Sequence, residues 1–486
     1  MLSLLLPFFL LLTSTRTTTC TRTGINDDND VIQWRGNIAH TAHFNVTLLP
    51  GQPRQLYRHH GLNKGVHSAA KSSPVVLADG ETFLQAGDTG ILYRIEIATG
   101  QPLWAAAQLG FSSFGYHSTP CAIYRDDDDN TPDLAIIGSY DGVLSAFDLE
   151  TGHRVWETSV GEHIGASPTC TSSFIYIAVE FSTPRAAGGV CKVQVDTGDK
   201  IWCSYTMGSH SHCTAGVDYQ HNVVVAGSND NYLHVFRETD GVTLAKYNTS
   251  GAIKGPILMH HGFAIFGSWS GNIFAIDISH LASKVPTTAT ADTIQIERGP
   301  GLYKWPPIES DKKFMSGVAL DPTTNLLYTG GHDYKIRCID FHTGKVRWEY
   351  QTNSYILSSP IVLNNAILSG SSDGYVYALD KATGKALWSY ILGRTGRITA
   401  SVDVSHDGKY ILYASDSYGF TAKNQCKGKP GSLHVLEIRE TDASGSMHEE
   451  VAVDDNKEEV SDEDNDNDKK VDSAKAKSDE GLKDEL

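Results

Sequence analysis

Beyond its first dozen residues, the 486-residue sequence has no apolar run of the roughly 18 residues that a bilayer span requires. No membrane span is therefore expected. It also lacks any cluster of basic residues. With 40 Lys or Arg against 57 Asp or Glu, a formal net charge of −17, it offers no surface for nucleic acid. Aromatic and branched apolar residues nearly vanish after Arg439. Residues 440–486 hold 18 acidic residues and six lysines, −12 of the total charge, and cannot bury enough surface to offset chain entropy, so they read as a disordered acidic tail. No cysteine or histidine spacing matches a zinc motif, and the tail has no EF-hand spacing.

The two ends carry addresses. Residues 4–12 are apolar over about the length of a signal-peptide core, although no Lys or Arg precedes them, and residues 1–20 are read as a cleaved export signal. The last four residues, Lys483, Asp484, Glu485 and Leu486, match the retrieval signal of the endoplasmic reticulum lumen. A lumenal address makes the sequons at Asn45 and Asn248 glycosylation candidates and allows disulfides. Cys191 and Cys203 flank a predicted hairpin, where they face each other at bridging distance. Pairing among the other six cysteines cannot be deduced from sequence.

Between the ends one phrase recurs. Its clearest copy is Ser-Ser-Asp-Gly, Tyr-Val-Tyr-Ala-Leu-Asp, Lys-Ala-Thr-Gly-Lys-Ala-Leu-Trp from Ser371 to Trp388. Asp-Gly makes a tight turn, the apolar run a strand, and Thr-Gly a second turn before a strand bearing Trp. The Gly-to-Trp spacing repeats at Gly100 and Trp104, Gly152 and Trp156, Gly198 and Trp202, Gly344 and Trp348, and Gly384 and Trp388. At Gly241 the Trp position holds Ala245. The 103-residue interval from Gly241 to Gly344 is two repeats; the hidden one is centred on residues 270–277 and loses both Thr-Gly and Trp in an insertion that runs to Lys313. An eighth copy spans 431–438.

Eight repeats of about 40 to 50 residues predict an all-β, eight-bladed β-propeller of four-stranded blades over residues 30–439. The central strands begin near Ile91, Val143, Val190, Tyr232, Asn272, Lys335, Tyr375 and Ser432. Residues 30–44 are expected to supply the strand that completes the last blade. One Trp per blade at one position predicts packing of each blade onto the next, rather than a ligand platform.

The phrase Asp-Gly-x-Val-Tyr-Ala-Leu-Asp-x-x-Thr-Gly-Lys-x-x-Trp resembles the repeat of the pyrroloquinoline-quinone-like propellers. The entry Trp34-Arg35-Gly36-Asn37 with His40-Thr41 is similar to the motif that opens such domains. The resemblance implies fold more than activity, because the family includes quinone-dependent dehydrogenases and non-catalytic scaffolds. Its alcohol dehydrogenases carry a vicinal Cys-Cys disulfide, a calcium ion and a catalytic Asp. This sequence has neither adjacent cysteines nor a Cys-x-x-Cys-His, and no motif nominates a catalytic Asp.

One local constellation stands out. The loops entering the innermost strands are marked by Pro74, Pro120, Pro168, Pro256 and Pro360, and just before the first three stand His67, His117 and His163. The fourth blade has His210, His212 and Cys213 there. His117, His163, His210 and His212 are therefore candidate ligands for zinc or another transition metal at the channel mouth. The acidic run 454–468 is expected to hold Ca²⁺ weakly. The leading expectation is a non-enzymatic lumenal scaffold that binds secretory-pathway proteins through blade loops and a retrieval receptor through its C-terminus. The alternative is an oxidoreductase using pyrroloquinoline quinone.

Overall fold

In the computed structural model each copy of the repeat folds as an antiparallel meander, and the described residues are 30–63, 72–107, 115–125, 131–284, 302–391, 396–416 and 431–439. The signal segment, His67, Cys20, Cys426, the acidic tail and residues 483–486 lie outside them. Among the described residues no helix is long and apolar enough to cross a membrane.

The copy that reads most clearly forms blade 7, with strands Ile361–Val362, Ala366–Gly370, Val376–Asp380 and Ala386–Tyr390. Its turns follow from local chemistry. The Asp373 carboxylate accepts the Tyr375 amide, and Asp380 accepts both the amide and the hydroxyl of Thr383. The second strand is buried at every position and the outermost is mostly exposed. Both faces of the inner strands are covered by neighbouring blades, so those strands read as continuous apolar runs.

Eight such sheets form the propeller. Their third strands are Ile91–Glu96, Val143–Asp148, Ala187–Gln194, Tyr232–Arg237, Asn272–Asp277, Lys335–Asp340, Val376–Asp380 and Gly431–Arg439. Each begins at or within three residues of its expected start.

Blade closure differs from expectation. The outermost strand of blade 8 is Gln52–Asn63, paired with Gly431–Arg439, and residues 30–44 do not complete that blade. The reason is conformational. Arg35, His40 and Ala42 all have positive φ, which breaks residues 30–44 into turns, whereas the next segment extends over twelve residues. Residues 30–49 instead run across the inner strands. Val31–Ile32 adds a fifth strand beside Cys121–Ile123 of blade 2. The Gln33 amide exchanges hydrogen bonds with the Cys170 backbone in blade 3. Backbone carbonyls of Ile38, Ala39, Thr41 and Ala42 accept the amides of Val217, Met259, Leu320 and Val362 in blades 4 to 7, and Leu49 reaches Gly408 in blade 8. The segment thereby satisfies inner edges that would otherwise be unpaired.

The tryptophans hold blade to blade, as expected. The indole N–H groups of Trp104, Trp156, Trp202 and Trp348 donate to the carbonyls of Leu149, Val195, Glu238 and Lys381, each at the third turn of the following blade. Their rings cover the turn glycine of that blade. At Gly384, φ is +71° and a Cβ would lie 2.5 Å from the Trp348 ring, so conformation and space both require glycine. Trp388 is buried against blade 8 in a cluster with Val404, Ile411 and Tyr413.

Two blade junctions are patched. Blade 5, which lost its Trp, recruits Trp305 from the insertion; this indole donates to Phe341 O at 3.0 Å and covers Gly344. Blade 4, with Ala245 at the Trp position, is packed by Leu281 from the helical turn Leu281–Lys284.

The Cys191–Cys203 disulfide forms across the blade 3 hairpin as expected. A second, Cys121–Cys170, joins the innermost strands of blades 2 and 3. Cys213 and Cys338 are buried free thiols. Asn45 is exposed and Asn248 half-buried at the surface.

Candidate metal centre at the channel mouth

The four predicted histidines do not form one cluster. His117 and His163 flank Tyr140, with ring centroids 4.4 and 4.7 Å from the tyrosine. His163 Nδ1–H donates to the Tyr140 carbonyl at 2.8 Å, which fixes the ring in the stack. His210 and His212 form the second group, and it includes a residue that sequence reasoning missed.

That residue is Glu180. It is the penultimate residue of the second strand of blade 3, Phe174–Phe181, and its side chain is 1% exposed. His212 Nδ1 lies 2.8 Å from its Oε1, and His210 Nδ1 lies 4.0 Å from its Oε2. One donor atom from each of the three residues falls within 4.8 Å of the others. A buried carboxylate is costly without positive charge beside it. Here two imidazoles face it, and each remains partly exposed at 19% and 14%.

Local folding sets this arrangement. His210, Ser211 and His212 lie in an extended strap, so residues i and i+2 face one side while the residue between faces the other. Ser211 is fully buried and its hydroxyl donates to Gly227 O at 2.7 Å. The strap is also held by Ser228 Oγ to Ser209 O and by the Gly208 amide to Asp230. Opposite stands Gly165, where a Cβ would lie 2.6 Å from Glu180 Oε1 and 2.8 Å from His212 Nδ1.

By ladder register the place of Glu180 is held by Tyr140, Asn229, Trp269, His332, Ser372 and Asp416 in blades 2 and 4 to 8, and each of their backbone amides, like that of Glu180, donates to a carbonyl of the loop entering its own blade. Of these seven blades only 3 and 8 put a carboxylate there.

The other side of the mouth is cationic and aromatic. Trp269 has the ammonium groups of Lys254 and Lys313 4.0 and 3.8 Å from its ring. His332 stacks on Tyr355, and burial beside Lys313 pushes its pKa down to about 4. Arg397 pairs with Asp416 at 3.3 Å and donates to Tyr355 OH. Below the mouth, the Arg35 guanidinium is buried on the strap formed by residues 30–49. Burial lowers its pKa to about 9 while it donates to the His40 and Val318 carbonyls.

Comparisons with known proteins agree with this architecture. The β-alanine-activating enzyme of Drosophila melanogaster is 19% identical over 305 residues, 51% of this chain and 29% of that protein. The outer membrane protein assembly factor BamB of Francisella tularensis is 23% identical over 184 residues, 36% of this chain and 38% of that protein. The chain thus spans well under half the length of either relative. Among solved structures, a europium-containing methanol dehydrogenase superposes with a TM-score of 0.64 at 13% identity, over 84% of this chain and 98% of that one. BamB from Moraxella catarrhalis gives 0.53 at 15% identity, over 80% and 100%. These likenesses establish the fold. The family described as outer membrane protein assembly factor BamB matches residues 61–247, 132–280 and 294–463, and the chain belongs to this family of pyrroloquinoline-quinone-like repeat propellers.

Proposed function

We propose that this protein is a binding scaffold of the endoplasmic reticulum lumen, presenting its blade loops to proteins of the secretory pathway. The observation that carries the reading is the course of residues 30–49, which cross the inner strands from blade 2 to blade 8 and bury Arg35 and His40 inside the ring. The inner strands are thus edged by the chain's own backbone, and the loops at the rim supply the recognition surface. Two disulfides suit an oxidising compartment. The C-terminal 483–486 signal would engage a retrieval receptor, Asn45 and Asn248 would carry glycans, and residues 454–468 would hold Ca²⁺ loosely.

The dehydrogenases among the structural relatives raise a quinone reading. The residues present do not fit that cofactor. The vicinal disulfide that lies against the ring in the family's alcohol dehydrogenases has no counterpart, since Cys121–Cys170 and Cys191–Cys203 join strands. The Trp269 ring already carries two ammonium groups, and Glu180 faces imidazoles.

Two measurements test the proposal. The purified full chain, supplied with pyrroloquinoline quinone and Ca²⁺, should reduce no dye with simple alcohols or sugars; substrate-dependent reduction would overturn the scaffold reading. Deleting residues 483–486 should release the protein into the medium, and retention of the truncated chain would remove the lumenal retrieval reading.

A further inference from the structure

We infer that Glu180, His210 and His212 form a mononuclear site for a zinc-class divalent metal at the channel mouth, independent of any quinone and of the scaffold reading. The donor set is two imidazole nitrogens and one carboxylate oxygen, the mixture that Zn²⁺ and its neighbours in the first transition row prefer. The three donors come from two blades and converge to within 4.8 Å.

Two further observations make this more than a chance group. The strap that carries both histidines is anchored by Ser211 on its opposite side, so the imidazoles are aimed by backbone geometry. Gly165 leaves open the space beside Glu180 Oε1 and His212 Nδ1, where even a methyl group would sit within 2.8 Å of both donors. Its φ is not positive, so the backbone there does not demand glycine. The space does.

A divalent ion held this way would neutralise the buried carboxylate and retain one net positive charge. Three protein ligands leave a fourth position of a tetrahedral shell open toward the mouth. That position is available to water or to a carboxylate or imidazole from a bound partner.

The test is a titration of the full chain with Co²⁺, followed by its visible ligand-field bands, with Zn²⁺ as competitor. We expect one equivalent of intensely absorbing, four- or five-coordinate Co²⁺ that Zn²⁺ displaces. Ions held by the tail carboxylates are six-coordinate and absorb weakly. Losing a direct ligand in His212→Ala or Glu180→Gln should weaken binding by more than the roughly 10–100-fold that supporting hydrogen-bond partners contribute. Gly165→Ala should weaken it similarly with all three ligands intact and melting unchanged, which separates loss of the site from loss of the fold. His117→Ala, in the Tyr140 stack, should bind like the wild type. Absence of the strong bands in the wild type, or bands that survive both His212→Ala and Gly165→Ala, would overturn the inference.

Discussion

Trp305 covers Gly344 and donates its indole N–H to Phe341 O, so a residue outside the repeat phrase stands where the blade's own tryptophan is missing. Trp305 is 5% exposed. Trp305→Ala should lose about 3–5 kcal/mol through the cavity alone, whereas Trp305→Phe should retain much of the packing and lose the hydrogen bond, about 1 kcal/mol. Denaturant midpoints of the two variants check this order, and equal losses would mean that the insertion is not a structural part of blade 5.

Blades 3 and 4 share a buried ion pair, Lys192 with Glu238, which also accepts the Tyr176 hydroxyl. The Lys192 ammonium lies 3.8 Å from the Phe174 ring. Lys192→Met leaves a carboxylate buried without its cation and should cost about 3–5 kcal/mol. Adding Glu238→Leu should recover much of that loss, and a double-mutant cycle measures the coupling.

The two disulfides close loops of different length, 49 and 12 residues. On the chain-entropy account Cys121–Cys170 contributes about 4 kcal/mol and Cys191–Cys203 about 3 kcal/mol. Cys121→Ser with Cys170→Ser should therefore lower the melting temperature more than the corresponding pair in the hairpin. Cys213 and Cys338, whose thiols burial pushes up to about 12, should stay unreactive to thiol reagents until the propeller unfolds.

His40 and His434 are buried, and desolvation lowers both to about 3. A base whose folded pKa is depressed takes its proton more readily in the unfolded chain. The stability they contribute is complete above the ordinary histidine pKa near 6.5 and falls as pH drops from there toward about 3. Unfolding midpoints should decline over that window, with a shallower decline in His434→Gln. A midpoint independent of pH over that window would show that these histidines protonate without unfolding.

Asp321 acts in the same direction for a different reason, because here it is the charged form that the fold favours. Burial by itself would raise its pKa, but hydrogen bonds from the Lys381 ammonium and from Thr323 outweigh that and hold it at about 2. Its contribution is present above the ordinary Asp range near 4 and is lost as pH falls through about 2. Asp321→Asn should destabilise at neutral pH and matter little at pH 2.

Much of this was legible in the order of residues. Asp-Gly and Thr-Gly turns with an apolar run between them specify a hairpin wherever they occur, so the number of blades, the third strands and the Cys191–Cys203 bridge follow from local chemistry. The Trp girdle was legible because its spacing to the turn glycine is constant. Closure was not, because residues 30–44 look like the start of the repeat domain, and only their positive-φ backbone separates them from the strand at 52–63.

The mouth shows the same division. The sequence alone placed His210 and His212 together on the loop entering blade 4; that they face one side was decided by the strap's contacts. Which groups meet that side depended on how blade 3 ends and where Gly165 leaves space: Glu180, whose backbone pairs with that of His163, turns its carboxylate to them, while the His163 and His117 rings pack on Tyr140. Turns and strands are written in neighbouring residues; a site whose donors come from two blades exists only once the ring has packed, because its distances are set by contacts between segments far apart in the chain.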